Sequence, residues 1–141
     1  MDDKMNAWLY DILNSIDEIE SFFEDKPMDF LEYQKDIKTK RAVERNIEII
    51  GEAVNRILKE NPDFKIENSR NIVGTRNRII HSYDNIADDM IWSILINSLP
   101  KLKLEIKSFL QKGTVYNSVQ AQSRIVLSRH LPHAKRCFMQ L

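Results

Sequence analysis

Four times along this chain of 141 residues the apolar side chains recur at steps of three and four, and that spacing restricts the fold more than any other feature. A helix makes one turn in about 3.6 residues, so such steps gather a stripe on one face, whereas a half-buried strand needs strict alternation. From Lys4 to Glu24 the stripe is Met5, Trp8, Leu9, Ile12, Ile16, Ile19 and Phe23. From Arg41 to Lys59 it is Val43, Ile47, Ile50, Val54, Ile57 and Leu58. A third stripe lies between Asn71 and about Ser82, and a fourth runs from Ala87 as Ile91, Ile94, Leu95, Leu99, Leu102, Ile106 and Phe109. Helices with one apolar face and short connectors bury those faces against one another, which predicts an all-α fold, an antiparallel bundle of four to five helices.

Local signals mark the boundaries. Pro27 disfavours helical geometry in the residue before it and ends the first helix. Asp29 is placed to cap a second helix from Phe30, with Glu32 completing a capping box. The period falters from Lys35 to Lys40, where the helix is expected to bend or exchange faces. Gly51 lies on the edge of the Arg41–Lys59 stripe. Glycine costs a helix about 1 kcal/mol relative to alanine, so its use there reads as a notch for close helix contact. Asn61-Pro62-Asp63 is a connector, Asn68 or Ser69 can cap the third long helix, and Asp84-Asn85 breaks it. Pro100 falls opposite the last stripe and predicts a bend near Leu99, an interior proline costing ~3 kcal/mol.

The balanced total charge hides an asymmetry. Residues 1–111 hold 16 basic and 21 acidic side chains, a net −5, and residues 112–141 hold five basic and no acidic ones. A body of that sign does not advertise general nucleic-acid binding, so any RNA contact must come from a local patch. The expected organisation is a helical domain over 1–111 and a basic, partly ordered extension over 112–141. Within the extension His130, His133 and Cys137 have spacings that metal sites use, but a fourth ligand is not evident and no metal site is assigned. Cys137 is the only cysteine, which excludes an intrachain disulfide and suits a reducing cytoplasm. The acidic start has no signal-peptide core, and no run approaches the ~20 apolar residues of a spanning helix, so no membrane association is expected.

The chemistry concentrates in Asn71–Asn85, which contains the only histidine before residue 112. In helical geometry Ile79, Ile72, Tyr83, Arg76, Ile80 and Val73 fall across one arc, with the Arg76 guanidinium amid apolar neighbours. A guanidinium keeps its proton, so burying it demands a carboxylate, phosphate or other acceptor. Glu44, Glu48 and Glu52 run four apart along one side of the preceding helix, and any of them can answer it. Glu44 and Glu48 read better as a solvated face paired with nearby arginines. His81 has Asn77 one turn before it, placed to fix its tautomer, and Arg78 three residues before it, either a second phosphate ligand or a plain surface arginine.

Arg76, four residues, His81, one residue, Tyr83, set within Gly74-Thr75-Arg76-Asn77-Arg78-Ile79-Ile80-His81-Ser82-Tyr83, resembles the signature of the HEPN superfamily, and specifically its HepT-like toxin branch. Ile49-Ile50-Gly51-Glu52-Ala53 upstream is similar to that branch as well, which makes Glu52 the better candidate for orienting Arg76. The resemblance covers roughly Met5 to Leu110. It implies a homodimer whose Arg76 and His81 line an interfacial groove that cuts RNA, and a cognate nucleotidyltransferase antitoxin that attaches AMP to Tyr83 and blocks the groove. The residue chemistry agrees. Imidazole moves protons near neutral pH, and a fixed guanidinium stabilises charge building on a phosphate, so the pair suits RNA cleavage without metal or cofactor. One histidine does not conveniently serve as both base and acid; two His81 side chains facing a shared cleft can. In an ideal helix Arg76 and His81 are ~140° apart, so they do not simply share a face. The competing expectation is a non-catalytic HEPN-type module that binds nucleotide, RNA or a helical partner, with Arg76 paired internally.

Overall fold

The computed structural model describes residues 3–81 and 87–112. The chain divides into two units, Met1–Ser108 and Phe109–Leu141, and of the second only residues 109–112 are described, as helix. Ser82, Tyr83, the expected break at Asp84-Asn85 and the basic extension with His130, His133 and Cys137 lie outside the described residues.

Every described element is helical. Helix α1 spans Asp3–Phe22, α2 Phe30–Lys35, α3 Ile37–Glu60, α4 Ser69–His81 and α5 Asp88–Ser93. A π-helical turn, Ile94–Ser98, follows α5 directly, and helix continues from residue 99. Helix α3 is the centre, with α1 and α4 packed along it. Its polar contacts give the directions: Lys4 at the start of α1 pairs with Glu60 at the end of α3, and Glu18 near the end of α1 accepts from Asn46 in the first half of α3. Helices α1 and α3 are therefore antiparallel. Ser69 and Arg70 share a groove with Asn55 and Leu58, while Arg76 and Ile80 share a cleft with Arg45 and Glu48, so α4 also runs antiparallel to α3.

The core is the set of stripes. Leu9, Ile12 and Ile16 of α1, Val43, Ile47, Ile50, Val54 and Ile57 of α3, Ile72 of α4, and Ile91, Leu102 and Ile106 are almost wholly removed from water. At about 1.5–3 kcal/mol per fully buried aliphatic side chain, this set is the main stabilising term. Helix α2 is too short to persist alone. It is held by rings: Phe30 and Tyr33 lie 5.8 Å and 5.1 Å from Trp92 of α5, and Phe23, just after α1, meets the same indole edge-on at 6.2 Å.

Asp29 caps α2 as expected, its carboxylate accepting from the Leu31 N–H. The capping box does not close, because the Asp29 N–H goes to the Pro27 carbonyl instead. The faltering period between Lys35 and Lys40 resolves into a break at Asp36, which ends α2 and caps α3. Its carboxylate accepts from the Thr39 N–H at 3.1 Å and the Thr39 hydroxyl at 2.7 Å, and Lys26 reaches it from the α1–α2 connection at 2.9 Å. Those bonds, the lysine's foremost, hold the Asp36 carboxyl far below the usual carboxylate range. Asn68 takes the left-handed conformation, φ 63°, and its carbonyl accepts the Ile72 N–H at the start of α4.

Pro100 is accommodated by a change of helix type. It has no N–H to donate and its ring crowds the carbonyl four residues back. The π turn lies immediately upstream, where the Leu99 N–H donates to Ile94, five residues back. The wider turn also suits the pattern. Ile91, Leu95 and Leu99 are spaced by four, a step that drifts around a regular α-helix and drifts less where each turn holds more residues.

Candidate functional site

Gly51 is the notch that brings Arg76 onto α3. A Cβ built on Gly51 would stand 2.3 Å from Arg76 Cβ and 2.8 Å from its Cγ, with the Ile72 carbonyl at 3.3 Å. No side chain fits there. The glycine lets the stem of Arg76 lie against the α3 backbone, and the guanidinium emerges beside the next residue, Glu52.

Of the three glutamates on that side of α3, Glu52 is the partner. Arg76 Nη2 donates to Glu52 Oε2, and Nη1 donates to Asn77 Oδ1 at 2.7 Å, while the buried Nε has no partner. Glu52 Oε1 meanwhile faces Arg56 Nε at 3.4 Å, so one carboxylate bridges two guanidiniums. Glu48 pairs with Arg45 at 3.5 Å, and Glu44 with Arg41 at 3.1 Å. Glu44 does not belong to a solvated face: it is buried, close enough to Tyr33 to help burial push that phenol's pKa up.

The Arg76–Glu52 pair is not sealed in the core. The two side chains keep 20% and 36% of their exposure and form part of the wall of a cleft of about 320 Å³ between α1, α3 and α4. Trp8, read from the sequence as core, is half-buried and lines this cleft, as do Asp11 and Ile80. Three guanidiniums (Arg45, Arg56, Arg76) are matched by three carboxylates (Asp11, Glu48, Glu52). An anion reaching Arg76 therefore competes with Glu52.

The other expected residues lie around α4. His81 is exposed at its last described turn, makes no hydrogen bond among the described residues and does not line the Arg76 cleft. Asn77 turns its amide oxygen to Arg76 rather than to His81. Arg78 is exposed and makes a long contact, 3.7 Å, to the Met90 sulfur. Within one chain, then, the structure gathers Arg76, Glu52 and Asn77 and leaves His81 apart, as the ~140° separation along an ideal helix requires. Trp8, Asp11 and Arg45 were missed by sequence reasoning. Their only signal is a helical spacing that core and surface residues share.

Residues 12–109 match the family model described as Ribonuclease HepT-like. A protein of Methanocaldococcus jannaschii named "Putative RNase" is 35% identical over 121 residues, covering 82% of this chain and 96% of its own length. A second protein of that organism with the same designation is 37% identical over 107 residues, covering 73% and 94%. The "Probable ribonuclease HepT" of Thermococcus cleftensis is 33% identical over 100 residues, covering 68% and 86%. No solved structure matches the chain at a significant level. The family match spans both α3 and α4, including Gly51, Glu52, Arg76 and His81, and with it this chain belongs to the ribonuclease HepT-like family.

Proposed function

We propose that this protein is a metal-independent endoribonuclease, the toxin of a toxin–antitoxin pair, which cleaves RNA in a groove formed between two copies of the chain. The observation that carries the reading is the placement of Arg76: a guanidinium fixed by a glycine notch, a carboxylate and an amide, yet open at a cleft wall. Such a group can grip a phosphodiester through two parallel N–H donors and stabilise the charge that grows on it during transfer.

One His81 takes the proton of a ribose 2′-hydroxyl, that oxygen attacks the adjacent phosphorus, and the 5′-oxygen leaves with a proton from a second imidazole. The products are a 2′,3′-cyclic phosphate and a 5′-hydroxyl. A second His81 is available only from another copy, and that is the reason for a dimer. The apolar residues Val73, Ile79 and Ile80 of α4 are only half-buried in the single chain, which leaves surface for such pairing. Asn77 positions Arg76, and Arg78 is a second phosphate ligand at the exposed side. AMP attached to Tyr83 by a cognate nucleotidyltransferase would bring a negative phosphate to the groove, occupying the guanidinium and excluding RNA.

The test is RNA degradation by the purified protein in the presence of chelator. Wild type is expected to cut, and Arg76→Ala and His81→Ala, folded by circular dichroism, to lose cleavage. Retention of cleavage by either variant overturns the assignment. Incubation with the candidate antitoxin and ATP should add one AMP mass to Tyr83 and to no position in Tyr83→Phe.

A further inference from the structure

Helices α1 and α4 both pack along α3 and make almost no contact with each other, so the Arg76 cleft stays open between them. Its α4 wall carries Arg76 and Ile80, and its α1 wall carries Trp8 and Asp11. The proposed cleavage uses the α4 wall alone. On the α1 wall Trp8 is half-buried, and among the described residues its indole meets no other ring and makes no hydrogen bond. The chain's other tryptophan, Trp92, has three rings against it. Charge separates the two walls as well. Asp11, one helical turn from Trp8, is exposed and in no ion pair among the described residues. A phosphate entering the cleft is drawn to Arg76 and repelled by Asp11, which leaves the α1 wall to an uncharged group.

We infer that Trp8 is the stacking platform for the nucleobase next to the phosphate held at Arg76. The inference rests on the ribonuclease reading for the position of the phosphate, while the stack itself stands on the α1 wall. A nucleobase is flat and uncharged, and single-stranded RNA is bound largely by splaying such bases onto aromatic side chains. The cleft, about 320 Å³, is at the small end of the ~300–1,000 Å³ of ligand pockets, room for one base and not for a run of them. Ile49 and Ile80, both half-buried, line the same cleft and add apolar surface for the ring. Every base has a π face, so the contact accepts any of the four. It fixes where a nucleotide sits relative to Arg76, not which nucleotide it is.

The test uses the full chain and a short 2′-O-methyl RNA, which has no hydroxyl free to attack and so is not cut. Trp8→Leu removes the ring but keeps an apolar side chain in the wall, and Trp8→Phe keeps a ring; circular dichroism checks that both fold. Trp8→Leu is expected to bind the oligomer about tenfold more weakly, the usual share of one stacked base, and Trp8→Phe to recover most of that loss. The same oligomer made abasic throughout should bind wild type and Trp8→Leu equally, which a merely structural role for the ring would not produce. In NMR spectra the indole N–H signal lost in Trp8→Phe belongs to Trp8. In wild type it should shift on adding adenosine 3′-monophosphate and stay still with ribose 5-phosphate, and this result decides alone if Trp8→Leu does not fold. Undiminished oligomer binding by Trp8→Leu, an equal loss on the abasic oligomer, or an indole signal indifferent to the base overturns the inference. Any of these alongside cutting of unmodified RNA by wild type sinks the stacking site alone. Base-dependent binding lost in Trp8→Leu, with no cutting of any RNA, sinks only the ribonuclease reading.

Discussion

Arg76 is held by a neighbour that also opposes its use. Glu52 fixes the guanidinium at the cleft wall, yet on the proposed mechanism it is the group a phosphate must displace. An ion pair this open to solvent contributes on the order of 1 kcal/mol at most, little enough for an incoming phosphodiester to exchange with it. Glu52→Gln keeps a hydrogen-bond acceptor and removes the charge. It is expected to tighten RNA binding about threefold to fivefold, read as a lower KM or a lower Kd on a non-cleavable RNA. His81→Ala is expected to cost about 10²–10⁴ in kcat, the usual share of a general acid–base group, with KM little changed. Single-turnover kinetics at saturating RNA measure it. The pairing of Arg76 with Glu52 was only partly legible in the chain. An arginine amid Ile72, Val73 and Ile80 announces its need for an acceptor, and the run of Glu44, Glu48 and Glu52 announces candidates. Which one answers depends on how α4 lies along α3, and that is set by Gly51 and not by any local preference of the glutamates.

At the scale of elements, the long stripes of α1 and α3 and the Asp29 cap could be read directly because each depends on local spacing. The break at Asp36 could not. Lys35, Asp36, Lys38 and Lys40 have no apolar rhythm, and the break is made by Asp36 accepting from Thr39 on one side and Lys26, ten residues upstream, on the other. The depressed carboxyl of Asp36 gives this cap a defined pH dependence. A group whose folded pKa lies below its unfolded value adds stability above the unfolded pKa and loses it as pH falls through the folded one. Asp36→Asn is therefore expected to lower the midpoint of urea unfolding at neutral pH, with the difference from wild type shrinking steadily below about pH 4, the unfolded value for aspartate. Gly51→Ala places a methyl group inside contact distance of Arg76 and the Ile72 carbonyl and forces α3 and α4 apart. It is expected to cost about 1–3 kcal/mol, as overpacking does, and to displace Arg76. A lower melting temperature together with reduced cleavage is the signature, whereas the same change at the open Gly74 leaves stability unharmed or improved.

For the whole molecule, the separation of His81 from the Arg76 cleft makes assembly the property on which the proposed mechanism turns. Static light scattering is expected to give twice the 16.6 kDa mass of the chain. A heterodimer with His81→Ala in one copy should cut RNA as slowly as the doubly substituted protein if one imidazole removes the proton and the other returns it. Half of wild-type activity would instead show that each copy works alone. The π turn at Ile94–Ser98 has its own consequence on this scale. The residues on either side of it share the core: Ile91 upstream and Leu102 and Ile106 downstream are all buried. A π turn holds about one residue more than an α turn, so excising a single residue between 94 and 98 lets it close as ordinary α-helix, whereas excising Lys101 from the regular helix beyond it would rotate everything downstream by about 100°. In that second variant Lys103 would swing away from Asp17 and Glu20 of α1, and the greasy seam would turn toward water.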